Sequence, residues 1–432
     1  MHAATLGFTA LALSLPSLTA QAAGQDEAEG FIEGSSLRLL TRNFYFNRDF
    51  RDADPGDQSY REEWAQGLMA FYRSGFTQGT VGFGVDAHGL VGLKLDSGRG
   101  RSGADLLPVD SDDRPEDSYG SAGAAVKVRL SSTELRYGNL RTEAPVFATG
   151  DSRLLPETAT GWLLNSQEIE DLALAAGHFT AYKLRDASNQ DEDLYLNYGE
   201  GKIGKAIDFL GATYALSKQL TASLYAADFD DTWRQYYGNL QYTLPLSDTQ
   251  ALDVDFNLYD TQDTGKALQG EIDNTTYSLS LGYAFGQHKL TAAYQKVRGD
   301  TPFDYVGGDS IFLANAVNYS DFNGANERSW QLRYDLDFAA YGVAGLKFST
   351  RYVKGEGIDG TRADPLGGYA GLQGKGGEHW ERNVDLRYVV QSGAAKDLSL
   401  RLRHATHRAN EAQGEGNIDE VRFIVEYPIN IF

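Results

Sequence analysis

Asp397-Leu398-Ser399-Leu400-Arg401-Leu402-Arg403 and then Asp419-Glu420-Val421-Arg422-Phe423-Ile424-Val425-Glu426-Tyr427-Pro428-Ile429-Asn430-Ile431-Phe432 end the chain. Read with a period of two, each segment has one apolar and one polar side. Leu398, Leu400 and Leu402 share a side, with Arg401 and Arg403 opposite. Val421, Phe423, Val425 and Tyr427 share another, opposed by Glu420, Arg422 and Glu426. A face of arginines and carboxylates behind an apolar face does not suit a soluble core. It suits a closed sheet that is greasy outside and wet inside. The chain stops on an aromatic, Phe432, directly after the strand.

The same alternation recurs upstream. Residues 80 to 95 alternate for about 15 residues, roughly twice the usual length of a globular strand. Val81, Phe83, Val85, Val91 and Leu93 take one side, with Gly82, Gly84, Asp86, His88 and Lys94 opposite. Hairpins follow at Ser131-Ser132 and Gly286-Gln287, each between two alternating runs. Leu252 to Leu258, Trp330 to Phe338, Leu346 to Tyr352 and Val384 to Val390 carry further apolar faces. The first such run, Leu37 to Arg48, slips phase around its aromatics, which predicts a bulge. Short turns alternate with long polar loops, 96 to 119 and 300 to 328 being the longest. About 410 residues, at roughly 22 to 24 per strand with its connection, predict an all-β transmembrane antiparallel barrel of about 18 strands.

Composition agrees. The chain has 432 residues with 25 Tyr, 21 Phe, 48 Gly and only 10 Pro and 2 Met, which favours twisted sheet over helix. It has no cysteine, which removes disulfides and thiolate metal sites. A formal charge of −21 argues against nucleic acid as a partner. Leu6 to Ala22 is apolar and ends Ala20-Gln21-Ala22, a small-x-small pattern. Residues 1–22 are therefore expected to be an export signal and residues 23–432 one barrel. Downstream, no run of 18 apolar residues offers a membrane-spanning helix.

With the polar phase facing the bore, the last strands contribute Arg333, Lys347, Arg351, Arg387, Arg401, Arg403 and Arg422. The first strand, which must close against the last, adds Arg38 and Arg42. This predicts one contiguous basic stripe, opposite a mid-chain strand that carries Asp253 and Asp255. Such a bore would guide a carboxylate by charge-assisted contacts and hold an ammonium across from it. Each contact must stay weak, because flux requires leaving as well as entering.

At the level of motifs the chain resembles the OprD family of substrate-specific outer-membrane channels. The resemblance rests on Arg42 to Phe50 (RNFYFNRDF), Ser74 to Gly79 (SGFTQG), Leu93 to Arg101 (LKLDSGRGR), Arg153 to Pro156 (RLLP), Gly308 to Asn315 (GDSIFLAN), Tyr319 to Gly324 (YSDFNG) and Val389 to Gly393 (VVQSG). It implies an 18-stranded monomeric barrel narrowed by two inward-folded loops, with a basic ladder leading carboxylate-bearing nutrients to the constriction. By the same resemblance, Ser152 and Arg153 belong to the first constriction loop. Asp309, Tyr319 and Asp321 belong to the second, which carries an acidic pocket, and Tyr195 is a wall aromatic. Ala316 stands where the family's basic-amino-acid channels place a serine. The pattern is closer to the amino-acid and peptide branch than to the aromatic-acid branch.

The expected function is diffusion of small carboxylate-bearing solutes, basic amino acids or short peptides first, through the outer membrane. Alternatives are a channel for cyclic or aromatic carboxylates, a non-selective porin, a barrel protease or lipase, and a soluble secreted β-protein. Lipid and lipopolysaccharide are the expected surroundings, and a monomer or weak trimer the expected assembly. No cofactor and no metal is implied, and no enzyme. The GxGxxG at Gly98 to Gly103 precedes Pro108 and an acidic run where a dinucleotide fold needs a helix. His404 and His407, three apart on a strand, point to opposite faces. There is no GxSxG or HExxH. Asp335 and Asp337 are read as field-shaping residues or arginine partners and not as an acid–base pair. Replacing Arg153 or Asp321 by alanine is expected to change solute preference and leave the barrel folded.

Overall fold

A computed structural model describes residues 24–432, so the expected signal over 1–22 lies outside the described residues. The strands are β1 (Ser36–Phe50), β2 (Tyr60–Arg73), β3 (Val81–Asp96), β4 (Ser118–Leu130), β5 (Thr133–Leu140), β6 (Glu143–Ala144), β7 (Phe147–Ala148), β8 (Thr158–Ile169), β9 (Leu172–Lys183) and β10 (Ile207–Ala215). They continue as β11 (Leu220–Phe229), β12 (Trp233–Ser247), β13 (Gln250–Asp263), β14 (Asp273–Phe285), β15 (His288–Arg298), β16 (Arg328–Asp337), β17 (Leu346–Asp359), β18 (Lys375–Val389), β19 (Ser399–Ala409) and β20 (Ile418–Asn430). All but the tiny β6–β7 ladder join one 18-stranded sheet, each strand antiparallel to the next. The sheet closes where β1 pairs with β20, from Arg38 opposite Asn430 to Phe50 opposite Ile418.

Alternation decides which side each residue faces. Phe83 is 56% exposed and Leu332 57%, while Gly82 and Gln331 beside them are buried inside the tube. An outer belt of Val, Leu, Tyr and Trp flanking a polar interior is the arrangement that lipid requires. Leu332→Arg, near mid-strand on that belt, is expected to cost about 2–4 kcal/mol of barrel stability, read by urea unfolding in lipid vesicles. An unchanged unfolding midpoint would refute the lipid-facing assignment. The tight turns use left-handed residues: Ser131 has φ 51° and Gly286 φ 58°. Those turns share one end of the tube, and most of the long connections share the other.

Two departures from the sequence reading have physical causes. The predicted bulge in the first strand is absent: β1 pairs without a register shift on both sides. The aromatics instead share the inward phase of the arginines. Phe46 is fully buried and takes the guanidinium groups of Arg48, Arg153 and Arg422 at 5.2, 5.3 and 4.9 Å from its ring centroid. Cation–π attraction, strengthened away from water, keeps that ring inside. Second, the interior is not uniformly wet. Phe147, Phe179, Tyr182, Tyr259, Phe303 and Tyr305 form part of a buried cluster beneath the inward loops, and Leu106, Leu107, Leu154 and Leu155 pack on Phe44 and Phe46. The loops carry their own apolar residues into the bore and need apolar wall positions to rest on.

Candidate functional site

Sheet register builds one wall of the bore. Inward residues on neighbouring strands lie side by side: Arg333 opposite Arg351, Lys347 opposite Arg387, Arg387 opposite Arg401, and Arg403 opposite Arg422. Like charges directly opposite are destabilising, so the row carries interleaved acids. Asp335 takes Arg333 at 2.7 Å, Asp385 takes Arg401 at 2.7 Å and Arg403 at 3.3 Å, and Glu420 takes Arg422 at 2.5 Å. Asp337 lies 3.5 Å from Lys347. Both Asp335 and Asp337 are thus partners of cations. Arg351 and Arg387 make no ion pair among the described residues; they donate to Asn383 at 2.9 Å and Ser399 at 3.1 Å.

The first strand contributes differently. Arg38 is exposed near the short-turn end. Arg42 is buried and fully engaged, with Asp151 at 2.8 Å, Glu426 at 2.7 Å and the carbonyls of Arg153 and Leu154 at 2.7 and 3.2 Å. It fastens the loop 141–157 to the wall. On the mid-chain strand Asp253 is paired with Lys289 at 2.7 Å, and Asp255 accepts from Asn239 at 2.7 Å.

Three loops, 141–157, 184–206 and 299–327, meet inside. Ser310 donates to the Val306 carbonyl at 2.5 Å and accepts from the Ala148 amide at 2.5 Å. Gly307 takes φ +82°, and a Cβ there would lie 2.6 Å from the Ala148 carbonyl oxygen, so only glycine allows the crossing. Beneath it sits Glu157, fully buried. It accepts from the Gly150 amide at 2.6 Å, Tyr182 at 2.6 Å and Tyr195 at 3.1 Å, and pairs with Arg185 at 2.8 Å. Arg185 also reaches Ser152 at 3.4 Å and Tyr195 at 3.2 Å. Ser152 and Tyr195 are therefore brought together through Arg185. Asp309 joins them by accepting from the Asp151 amide at 3.2 Å. It is open to the bore, yet crowded by protein, and that crowding, with Glu157 nearby, pushes its carboxyl up to about 6.

Arg153 touches this group at Ser152, donating to its hydroxyl at 3.3 Å, and otherwise runs along the wall. It is buried, donates to the Ala104 carbonyl at 3.1 Å and lies on Phe46. Alanine there would remove packing on Phe46 as well as charge. Asp321 forms a second acidic point, accepting from Tyr198 and Tyr305, each at 2.7 Å; burial lifts its carboxyl to about 6. Tyr319 stands apart from it, under Arg48 at 4.7 Å. Asn318 immediately precedes Tyr319. Its carbonyl accepts from Arg422 at 3.0 Å and its side chain from Arg351 at 3.4 Å and from Arg403. The loop that holds Asp309, Tyr319 and Asp321 thus rests directly on the arginine wall.

Sequence reasoning missed Glu157, Arg185, Tyr198, Tyr305 and Asn318, all loop residues outside any period-two run. Two adjacent signals existed: Glu157 follows Arg153 to Pro156, and Asn318 precedes Tyr319 to Asp321.

A family model described as outer membrane porin, OprD family, matches residues 29–431. Porin D of Pseudomonas aeruginosa is 54% identical, covering 94% of this chain and 93% of that protein. The crystal structure of Pseudomonas aeruginosa OprD superposes with a TM-score of 0.83 at 52% identity, covering 95% of this chain and 98% of that one. Pseudomonas aeruginosa OpdK, solved with vanillate, gives a TM-score of 0.84 at 36% identity, covering 93% of this chain and all (100%) of that one.

Proposed function

Because the chain belongs to the OprD family of outer-membrane porins, channels for small molecules, we propose that its preferred cargo carries both a carboxylate and a cationic group, basic amino acids and short basic peptides foremost. One observation carries this reading: Asn318 joins the loop bearing Asp309 and Asp321 to the wall bearing Arg351, Arg403 and Arg422. A solute with opposite charges at its two ends finds complementary groups at one level of the bore. The arginines attract its carboxylate, with the forked geometry that suits carboxylates. Asp309 and Asp321 face its ammonium or guanidinium. No bond is made or broken, and the concentration gradient drives passage.

Liposome swelling with arginine, glutamate, benzoate and a neutral sugar of similar size tests the reading. Arginine is expected to enter fastest, and Asp321→Asn to slow it severalfold while leaving glutamate unchanged. Both carboxyls are charged above about 6 and neutral below it. The arginine advantage should therefore hold at pH 7.5 and shrink at pH 5. Equal rates for all four solutes would favour an unselective pore, and benzoate fastest would favour an aromatic-acid channel; either result overturns the proposal.

A further inference from the structure

On β18 and β19, Glu381 lies opposite His407 and His379 opposite Ala409, which makes His379 and His407 diagonal inward neighbours near the loop ends of their strands. His404 falls on the outer face, so His407 finds its companion on the next strand and not three residues away. His379 Nδ1 and His407 Nε2 are 2.9 Å apart. A carboxylate oxygen of Glu415, from the loop 410–417, lies 3.3 Å from His407 Nε2 and 3.7 Å from His379 Nδ1. Both imidazoles are fully buried, and Glu415 is about a quarter exposed to the bore.

The outer nitrogens fix the tautomers. His379 Nε2 faces a Glu327 oxygen at 2.8 Å, and His407 Nδ1 faces the Gly416 carbonyl at 2.9 Å. Both partners only accept, so both outer nitrogens carry hydrogen. Neutral rings then present two lone pairs to each other at hydrogen-bond distance, with a carboxylate oxygen beside them. Such a triangle demands a positive charge at its centre. Ligands about 2.05 Å from a tetrahedral zinc ion stand about 3.3 Å apart, and the three separations bracket that value. The backing is also that of metal-binding histidines, one ring held by a carboxylate and the other by a backbone carbonyl. Glu415 is itself steadied by Gln413, which donates to it at 2.9 Å. Two carboxyl groups, those of Glu327 and Glu415, thus flank the two imidazoles.

We propose that His379, His407 and Glu415 form a binding site for a zinc-class divalent cation, with a fourth position open to bore water. The ligand set selects the metal class: two imidazoles and one carboxylate suit zinc and its neighbours better than calcium or magnesium. The site also meets the inner loop. Phe322 stacks on His379 at 4.1 Å, Tyr319 lies 4.9 Å from His407, and the Tyr319 and Ser320 amides donate to Glu381 at 3.1 and 2.9 Å. Bound metal therefore clamps the loop 299–327 at Tyr319 to Phe322.

The test uses the full chain in detergent, stripped with a chelator and titrated with zinc alone against a competing dye. Wild type is expected to bind one zinc per chain. Glu327→Gln, behind a ligand, should weaken binding roughly 10–100-fold, and His407→Gln should weaken it further. His404→Gln should bind like wild type. X-ray absorption of the loaded wild type should show two imidazole scatterers. Absence of stoichiometric binding by wild type would mean that a proton alone fills the triangle. Equal binding by His407→Gln, or an all-oxygen shell, would mean an adventitious ion only. Each of these results overturns the site. Heat-modifiable gel migration identifies a variant that failed to fold, and the wild-type titration and absorption spectrum still decide the question.

Discussion

Glu157→Gln is expected to release the first inward loop and raise single-channel conductance. Glu157 gathers the Gly150 amide, two tyrosine hydroxyls and the Arg185 guanidinium around one buried carboxylate. Glutamine keeps one accepting oxygen but turns an NH2 group toward donors, and it leaves Arg185 without its counter-charge. Breaking one side of a buried ion pair costs about 3–5 kcal/mol. The 18-stranded sheet does not depend on this contact, so the cost falls on the local opening of 141–157 and not on global unfolding. Hydrogen exchange should accelerate in that loop and stay slow in β8 and β9. Unchanged conductance together with unchanged loop exchange would remove Glu157 from its role as the anchor.

Reversing two arginines should have the second large effect. In Arg387→Glu with Arg401→Glu, two adjacent positions of the wall change sign. Arg387 is exposed to the bore and, among the described residues, holds no acid, while Arg401 pairs with Asp385. The new carboxylate at 387 lies opposite Lys347, and Asp385, which loses Arg401, keeps Arg403 at 3.3 Å, so the closed sheet is retained. Each unit charge is worth about 1 kcal/mol to a carboxylate a few ångströms away in a water-lined passage. Removing attraction and adding repulsion should cut glutamate entry at least tenfold, and salt near 1 M should erase most of the difference, since screening then acts over about 3 Å. A glutamate rate that is equal in wild type and variant at low salt would refute a guiding role for the wall.

These contrasts show what a sequence makes legible. Arg401, Arg403 and Arg422 could be placed in the bore because each strand repeats the same two-residue rule, and lipid enforces it on the outer side. The register that sets Arg403 opposite Arg422 follows once strands are joined by tight turns such as Ser131-Ser132. The alternation puts Arg42 on the inward face but gives no sign that it is engaged, because its partners Asp151 and Glu426 are distant in sequence. Phe44 and Phe46 looked like a break in the pattern, since nothing local revealed that Leu154 and Leu155 would arrive to cover Phe44. Glu157, Arg185 and Asn318 lie in loops, where no periodic constraint marks direction. His379 and His407 sat in readable strands, but their meeting depends on a diagonal across two strands and on Glu415 from a loop.

The closing seam has a consequence for biogenesis. Arg42 comes from the first strand, Glu426 from the last, and Asp151 from the loop between β7 and β8. Until the final strand is inserted and zipped to the first, that three-way clasp has no complete set of members. An unfinished assembly intermediate therefore lacks one fastening of its filter, and the full set of fastenings arrives together with the completed cylinder.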